Sequence, residues 1–415
     1  MIREIRLPDY AHASLFLLCV VLAPLALSAC DRGATRASGP TLRDSAGIQI
    51  VENTAPQWPE GGGWRLAAQP LVEIGVLEGD PNYQLFRVAG AQRLSDGRIV
   101  VANSGTSELR FYDASGRFLS KSGRKGGGPG EFDVLRWLGI LRGDSLVVYD
   151  WRNRRVSIFD ADGKFARAFT LRTVAQAPPS HVHLALFADG SVLIGAQRLF
   201  ASGQITAGVY HDTIFYLRFD QQGVLSDTIG RHPGADVYIL AQDQGIELVP
   251  LPFAASPHSG AYMSGFYFGR GDSYEIGYYS AEGKLVRSVR SVQPDTRVSA
   301  EDIEHYIHRQ LAEIEDEDER REIEHLYTGL PFPQTMPAYS DVLVDADGNL
   351  WVEDYRPPGD DQPRWKVFDP DGTLLGTVET PPRFRVYQIG SDFVLGRWTD
   401  ELDVDHVRMY RLIKR

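Results

Sequence analysis

The chain has 415 residues, of which 43% are hydrophobic, so it is long enough and apolar enough to form one large domain. Its formal net charge is −12 at pH 7. Because a phosphate backbone requires a clustered basic face, this acidic balance argues against nucleic acid as a partner.

Residues 1–29 have the pattern of a secretory signal peptide that ends at a lipobox. Arg3 and Arg6 precede an apolar run over residues 13–27, which leads into Leu27-Ser28-Ala29-Cys30. The small residues fit a signal-peptidase cleft, and the thiol of Cys30 would accept the lipid. The motif resembles that of bacterial lipoproteins, which implies a diacylglycerol- and palmitate-modified Cys30 as the mature N-terminus.

A transmembrane anchor with an incidental cysteine is the alternative for this segment. The apolar run is short for a spanning helix and contains Pro24, and both features favour the signal peptide. With Cys19 in the removed segment and Cys30 lipidated, no thiol remains for a disulfide or a thiolate metal site. We therefore expect a domain in the bacterial cell envelope, held to a membrane by lipid and facing outside the cytoplasm.

Residues 30–46 are predicted to be a flexible linker, because they are polar, rich in Gly, Ser, Thr and Arg, and without periodicity. Residues 47–52 alternate in hydrophobicity and are predicted to form a strand against the outside of the following ring. The folded domain is predicted to span residues 47–415.

A unit of short strands and tight turns recurs along this domain. In its clearest copy, residues 94–132, runs of β-branched and aromatic residues are joined by turns such as Asp113-Ala114-Ser115-Gly116. Aspartate accepts hydrogen bonds from turn amides, and glycine supplies the positive φ that other residues resist. Equivalent turns occur at residues 160–163, 220–223, 280–283 and 369–372.

Periods of roughly 40 to 50 residues with four strands each are typical of a β-propeller, whose blades surround a channel. Counting the units predicts an all-β, six-bladed propeller of four-stranded blades. The last unit ends after its third strand, residues 405–412, whereas residues 70–75 look like a fourth strand without a blade. Pairing these two strands would close the last blade with an N-terminal strand and cover two open edges.

One helical insertion is predicted at about residues 299–328, between the fourth and fifth units. Ser299-Ala300-Glu301-Asp302 is typical of a capped helix start, and apolar residues then recur at helical spacing up to Ile314. An acidic run at residues 315–319 interrupts this apolar stripe. Two interpretations stay open, a solvated charged face and a lid or partner-docking arm over one face of the ring.

The loops between second and third strands and the connections between blades share one face of a propeller, which is the usual ligand site. On that face we predict a mostly basic ligand-binding set: Arg124, Asp150, Arg152, Arg198, Arg231, His232, Arg270, Asp354, Arg356, Arg397 and Trp398. Arginine forks match carboxylates and phosphates, and a tryptophan offers a stacking surface, so we expect an anionic or sugar-like ligand. The alternative is that these arginines pair with neighbouring aspartates and hold blade to blade.

His181 and His183 are weak candidate ligands for a divalent metal, because alternate residues of a strand point to the same side. No acidic partner is visible for them, so packing is the alternative. No cofactor and no catalytic residue is assigned, because no Ser/His/Asp order and no paired-carboxylate spacing stands out.

Three features together resemble the NHL-type six-bladed β-propellers of bacterial lipoproteins: the glycine-rich PGEF linker at residues 129–132, the Asp-x-x-Gly turns, and the unit at residues 343–352. The resemblance covers about residues 47–415. It implies a fold more than an activity, because its motifs are turn and packing residues, and the wider superfamily includes binding scaffolds as well as lactonases and peptidyl-amidating lyases. Neither the metal-binding residues of the lactonases nor the histidines of the lyases map onto this chain.

We therefore expect a monomeric, membrane-tethered and non-catalytic module that binds a protein or a small anionic or sugar-like ligand. One alternative is a metal-dependent hydrolase or lyase, lactonase-like, with its site at the channel mouth. Another is a structural envelope component that docks a second protein through the acidic helical insertion. Stoichiometric metal would favour the enzyme, and co-purification lost on deletion of residues 299–328 would favour docking.

Overall fold

The structure is a computed structural model that describes residues 39–171, 180–197, 206–242, 245–262, 265–293, 297–312 and 314–414. Six β-sheets make up this part of the chain, and each contains an antiparallel meander of consecutive strands. Such meanders are the blades of a propeller. Four short strands precede the first blade: β1 (Thr41–Ser45), β2 (Ile48–Asn53), β3 (Arg65–Leu66) and β4 (Val72–Ile74).

The first three blades differ in the length of their outer strands. Blade 1 comprises β5 (Val88–Arg93), β6 (Ile99–Asn103), β7 (Glu108–Tyr112) and β8 (Phe118–Ser122). Blade 2 comprises β9 (Leu135–Ile140), β10 (Leu146–Asp150), β11 (Arg155–Phe159) and β12 (Phe165–Thr170). Blade 3 comprises β13 (Ser180–Leu186), β14 (Val192–Gln197), the long strands β15 (Gly208–Phe219) and β16 (Leu225–Gln242), and a fifth strand, β17 (Gly245–Pro250).

Two helices separate blade 4 from blade 5. Blade 4 comprises β18 (His258–Tyr262), β19 (Gly265–Gly269), β20 (Glu275–Tyr279) and β21 (Leu285–Ser291), and the helices are α1 (Ala300–Leu311) and α2 (Glu317–Gly329). Blade 5 comprises β22 (Tyr339–Val344), β23 (Leu350–Asp354), β24 (Arg364–Phe368) and β25 (Leu374–Glu379). Blade 6 comprises β26 (Phe384–Ile389), β27 (Phe393–Thr399) and β28 (Asp405–Ile413).

Blade 6 receives further strands from the N-terminal part of the domain. Strand β4 pairs antiparallel with β28, with Ile74 opposite Val407, and β3 pairs with the far end of β28. Val72 and Ile74 are buried in a cluster that includes residues of blade 1. The first and last parts of the domain therefore share one sheet and one core.

The repeated turn is built as its residue types predict. The Asp113 side chain accepts hydrogen bonds from the amides of Ser115 and Arg117, and Gly116 has φ 86°. Asp160, Asp220 and Asp369 make the same pair of contacts in their own blades, and the Ser280 hydroxyl replaces the carboxylate in blade 4. In that turn a Cβ on Gly283 would lie 1.5 Å from the carbonyl oxygen of Ile229, so the turn also fits tightly against blade 3.

The N-terminal boundary differs from the predicted one. Residues 30–46 were expected to be a flexible linker, but Thr41–Ser45 forms β1 and pairs with β2. Ala46 and Gly47, both at positive φ, make the two-residue turn between them, and such turns favour hairpins. Strand β2 pairs in parallel with β21, so this hairpin extends the outer edge of blade 4 to give a six-stranded sheet.

The helical insertion contains two helices. Ser299 and Asp302 form the capping box that the sequence predicts at the start of α1. The acidic run begins a second helix, because the Asp316 side chain accepts hydrogen bonds from the amides of Asp318 and Glu319, each at 2.9 Å. Carboxylates are favourable at a helix N-terminus, which explains how this run starts a helix.

Candidate functional site

The ends of the innermost strands place charged side chains at one face of the ring. One face of the ring contains the loops between second and third strands and the connections between blades. We call it the upper face. The first strands of neighbouring blades contact each other, for example β5 with β9 and β18 with β22, and so form the inner wall. Residues at the start of a first strand, or at the end of a second strand, therefore lie near the upper mouth of the channel.

Blade 5 places two carboxyl groups side by side at this mouth. Asp341 on β22 lies directly opposite Glu353 on β23, just after a register shift that leaves Ser340 outside the strand pairing. The side chain of Ser340 forms a hydrogen bond with Glu353. Blades 1, 2 and 3 have the same register shift near the start of their first strands, so it belongs to the repeat. The Asp341 side chain accepts a hydrogen bond from the amide of Val342 at 2.8 Å. The Glu353 side chain retains 15% of its solvent exposure.

Blade 6 places two guanidinium groups at the same level. Arg385 on β26 lies opposite Arg397 on β27. Arg385 is exposed, and within the described part of the chain no hydrogen bond or ion pair engages it. Arg356, in the loop after β23, lies 3.7 Å from Glu353. We call Asp341, Glu353, Arg356 and Arg385 the channel-mouth cluster.

The electrostatic effects show that the members of this cluster act on one another. Burial raises the pKa of Asp341, and the positive charge of Arg385 opposes the shift in part. Burial also raises the pKa of Glu353, the charge of Asp341 adds to the rise, and Arg356 and Arg385 oppose it. Two carboxyl groups that protonate more readily than usual therefore lie beside an unpaired guanidinium. Perturbed groups of this kind cluster at functional sites.

The helical hairpin lies next to this cluster. Tyr306 of α1 packs against Phe253, with 5.4 Å between ring centroids, and against Tyr327 of α2 at 5.5 Å. Burial raises the pKa of Tyr355, and the charges of Arg309 and Asp302 on α1 also act on it. Since Tyr355 precedes Arg356, α1 lies close to the loop that supplies one member of the cluster.

Several residues predicted to bind ligand make contacts that hold the fold together. Asp150 is fully buried and accepts hydrogen bonds from three backbone amides and one side-chain amide. Arg270 donates to the carbonyl of Gly234 at 3.0 Å and pairs with Asp236 at 2.6 Å, which joins blade 4 to blade 3. The Arg270 contacts are of the blade-to-blade type that we set against ligand binding as the alternative, whereas Asp150 holds the connection that leads into its own blade.

Asp354 makes a further contact between blades. It accepts a hydrogen bond from the hydroxyl of Tyr274 at 3.0 Å and lies 3.2 Å from the ammonium of Lys366. Tyr274 belongs to blade 4 and Asp354 to blade 5. The carboxylate therefore ties the two blades together at the upper face.

Three other predicted residues pack against protein groups. Arg397 lies 3.6 Å from Asp405, and the guanidinium of Arg408 stands 3.4 Å from the ring centroid of Trp398. His232 packs on Phe268 at 4.2 Å between centroids, and burial lowers its pKa to about 4. A neutral His232 adds no positive charge to an anion site at neutral pH.

The remaining predicted residues are spread over several blades. Arg124 pairs with Glu131 at 2.6 Å, and Arg152 lies 3.5 Å from Asp133. Exposed Arg231 stands over the ring of Phe215 at 5.6 Å. Arg356 belongs to the channel-mouth cluster, whereas Arg198 falls outside the described residues.

The metal prediction is not decided by the structure. His181 and His183 lie on β13 with a register shift between them, and their side chains fall outside the described part of the chain. In the described ranges, no group of three or more His, Cys, Asp or Glu side chains could hold a metal ion.

Sequence reasoning missed Asp341, Glu353 and Arg385. The sequence contains a signal for two of these residues. Asp341 and Arg385 interrupt the apolar pattern of the first strands YSDVLV and FRVYQI. A charged residue near the start of a blade's inner strand is a candidate for the channel wall. That criterion would have selected both residues.

Comparison with known proteins identifies part of the chain as similar to a described propeller family. Residues 87–174, which contain blades 1 and 2, match the family model DUF5128, described as a 6-bladed beta-propeller. With the six β-sheets described above, the described part of the chain is a six-bladed β-propeller. No curated protein matches it. In the described residues, no helix is long and apolar enough to cross a membrane.

Three solved structures cover most of the chain. A member of the duf4221 family from Bacteroides vulgatus shares 11% identity over 85% of this chain and 99% of its own, with a TM-score of 0.48. Virginiamycin B lyase from Staphylococcus aureus shares 11% identity over 84% and 100%, with a TM-score of 0.40. A gluconolactonase from Xanthomonas campestris shares 15% identity over 80% and 87%, with a TM-score of 0.40. At TM-scores below 0.5, none of these likenesses bears on what this propeller does.

Proposed function

We propose that the propeller is a non-catalytic binding module whose ligand, a small anionic and hydroxyl-bearing molecule, sits at the channel-mouth cluster. The observation that supports this most directly is the exposed and unpaired guanidinium of Arg385 beside two carboxyl groups. Four arginines of the predicted face outside the cluster already have carboxylate partners, namely Arg124, Arg152, Arg270 and Arg397. Arg385 differs from these four in that its guanidinium has no carboxylate partner among the described residues.

The chemistry of the cluster defines the ligand class. A guanidinium fork matches the planar geometry of a carboxylate or the oxygens of a phosphate. Carboxyl groups accept hydrogen bonds from hydroxyl groups, and when protonated they also donate one. A ligand with an anionic group and neighbouring hydroxyls, such as a sugar acid or a sugar phosphate, satisfies both sides of the cluster.

Substitution of Arg385 tests this proposal. Purified protein is titrated with sugar acids, sugar phosphates and the corresponding neutral sugars, and binding is followed by calorimetry. Arg385→Gln should weaken anion binding by about tenfold to a hundredfold, since hydrogen bonds to charged groups contribute about 1.5–3 kcal/mol. Arg117→Gln is the matched control, because Arg117 is a mostly exposed arginine on the opposite face. Equal affinities for native protein and Arg385→Gln would reject the site.

Anchoring at the membrane is the second part of the proposal. We propose that Cys30 carries the lipid, that the propeller faces outside the cytoplasm, and that the relationship to NHL-type lipoproteins holds. The support is the lipobox over residues 27–30 and the short apolar run before it. Cys30→Ala should abolish incorporation of labelled palmitate and move the protein out of the membrane fraction. Palmitate labelling that survives the substitution would contradict the assignment.

A further inference from the structure

Building on the proposed function, we infer that the ligand is a carboxylic acid and that it binds with uptake of one proton, which Asp341 and Glu353 hold against the ligand carboxylate.

The geometry of blade 5 brings the two carboxyl groups within reach of one small group. Residues directly opposite each other in an antiparallel pair have Cβ atoms about 4.5–5.5 Å apart. Asp341 and Glu353 are such a pair, next to the bulge at Ser340. One oxygen of Asp341 already accepts the Val342 amide, so the other remains for a ligand. A single ligand carboxylate can thus contact both side chains.

The charged groups around the pair come from two blades. Arg356 acts on Glu353 from the loop of the same blade, and Arg385 acts on both carboxyl groups from blade 6. Arg397, opposite Arg385, is directed to Asp405 at 3.6 Å. The nearby phenol of Tyr387 donates its proton to the carbonyl of Val88 at 2.6 Å. Arg385 is therefore the cation of this group that is free to meet a ligand.

An incoming carboxylate changes the proton balance of the pair. Burial raises the pKa of Asp341 and of Glu353, so each gains a proton closer to neutral pH than an ordinary carboxyl group. A third negative charge beside them favours the protonated form further. The added proton lies between a side-chain oxygen and a ligand oxygen and forms a charge-assisted hydrogen bond. Arg385 provides a positive charge beside the ligand carboxylate. With the added proton, the three carboxyl groups of Asp341, Glu353 and the ligand carry two negative charges, which the guanidinium groups of Arg356 and Arg385 balance.

Other ligand classes leave part of the cluster unsatisfied. A cation would be repelled by Arg356 and Arg385. A neutral sugar would leave the Arg385 guanidinium without an anion. A phosphate ester brings up to two negative charges into a site whose free cation is Arg385, so it should bind more weakly than a carboxylate.

The test is calorimetry with D-galacturonate, acetate, D-galactose and galactose 6-phosphate on the full protein. Titrations in two buffers of different ionisation enthalpy give the number of protons taken up. With the carboxylic acids we expect uptake of up to one proton, and an affinity that falls by up to tenfold for each unit by which the pH rises. The affinity falls as the pH rises because the bound state holds one more proton than the free protein and ligand, and a higher pH removes that proton.

Neutral isosteres separate the proton from the site itself. Asp341→Asn and Glu353→Gln place a permanent donor where the proton would be, so they should keep binding and lose the proton uptake and the pH slope. Arg385→Gln should lose about tenfold to a hundredfold in affinity. Asp162→Asn, an 82% exposed carboxylate in a turn of the opposite face, is the control and should leave both readouts unchanged.

The outcomes distinguish this inference from the proposed function. Binding of carboxylic acids without proton uptake, or with a pH slope retained in both isosteres, overturns the inference and leaves the binding module standing. Binding of galactose 6-phosphate in preference to D-galacturonate and acetate also overturns the inference and leaves the binding module standing. If none of the four compounds binds, both proposals fail.

Discussion

Removal of the Asp150 carboxylate should destabilise the whole ring. The Oδ2 atom accepts from the Asp133 amide and the Asn153 side chain, both at 2.7 Å, and the Oδ1 atom accepts from the amides of Val134 and Asn153, both at 3.2 Å. Asp150→Ala leaves three backbone amides without their acceptor. Each buried donor that loses its partner costs about 1–3 kcal/mol. Since water can reach part of this loop, we expect the free energy of unfolding to fall by about 3–6 kcal/mol.

Urea unfolding followed by tryptophan fluorescence measures this change. Asp150→Asn should cost less, about 1–3 kcal/mol, because one oxygen remains. At the other position the Asp133 amide and the Asn153 side chain meet a donor, and the Asn153 amide group can rotate to present its oxygen. Asp162→Ala is the control and should change the free energy by less than about 1 kcal/mol, as surface pairs do. A loss below about 1 kcal/mol in Asp150→Ala would refute the structural role. Ligand affinity lost without loss of stability would instead place Asp150 in a ligand site.

Three further perturbations test the fold. Gly283→Ala should lower the free energy of unfolding by about 2–4 kcal/mol, because the new Cβ would meet the Ile229 carbonyl at 1.5 Å and φ is 76°; an unchanged melting temperature in calorimetry would contradict this. Arg270→Ala should cost about 1.5–3 kcal/mol through the lost Asp236 pair without changing ligand affinity, and the opposite pattern would make Arg270 a ligand residue. Deleting residues 64–75 should abolish the cooperative melt of the ring, since it removes both strands that cover β28; a deletion variant that melts like the full chain would disprove closure by this segment.

The blade pattern could be predicted because it depends on local chemistry. An Asp-x-x-Gly turn forms from contacts within five residues, as the hydrogen bonds of Asp113 show, so each copy is visible in the sequence by itself. The capping box at Ser299 is local in the same way. By contrast, β1 lies in a polar segment without periodicity, and its strand character comes from pairing with β2, which in turn is held by β21. A composition-based boundary for the linker therefore ended a few residues too late.

The candidate site could not be predicted in the same way, because it depends on the register between two strands and on the packing of two blades. Asp341 and Glu353 are twelve positions apart and become neighbours through the pairing of β22 with β23 and the bulge between Tyr339 and Asp341. Arg385 joins them through the packing of blade 6 beside blade 5. Arginines in loops were easier to find, yet loops at blade boundaries are where a propeller also needs ion pairs, such as that of Arg270 with Asp236.

Residues that the fold needs and residues that a ligand needs can be separated by whether their polar atoms are already satisfied. Both carboxylate oxygens of Asp150 accept hydrogen bonds from backbone amides, so replacing this residue lowers the stability of the protein even without a ligand. Asp341 breaks the apolar pattern of an inner strand and has a raised pKa, which is a cost to folding that its one hydrogen bond does not offset. Such local conflicts are expected where function overrides stability. Asp341→Asn should therefore leave the fold intact or stabilise it, whereas Asp150→Asn should not, and the contrast between these two isosteric changes in one unfolding assay tests the distinction directly.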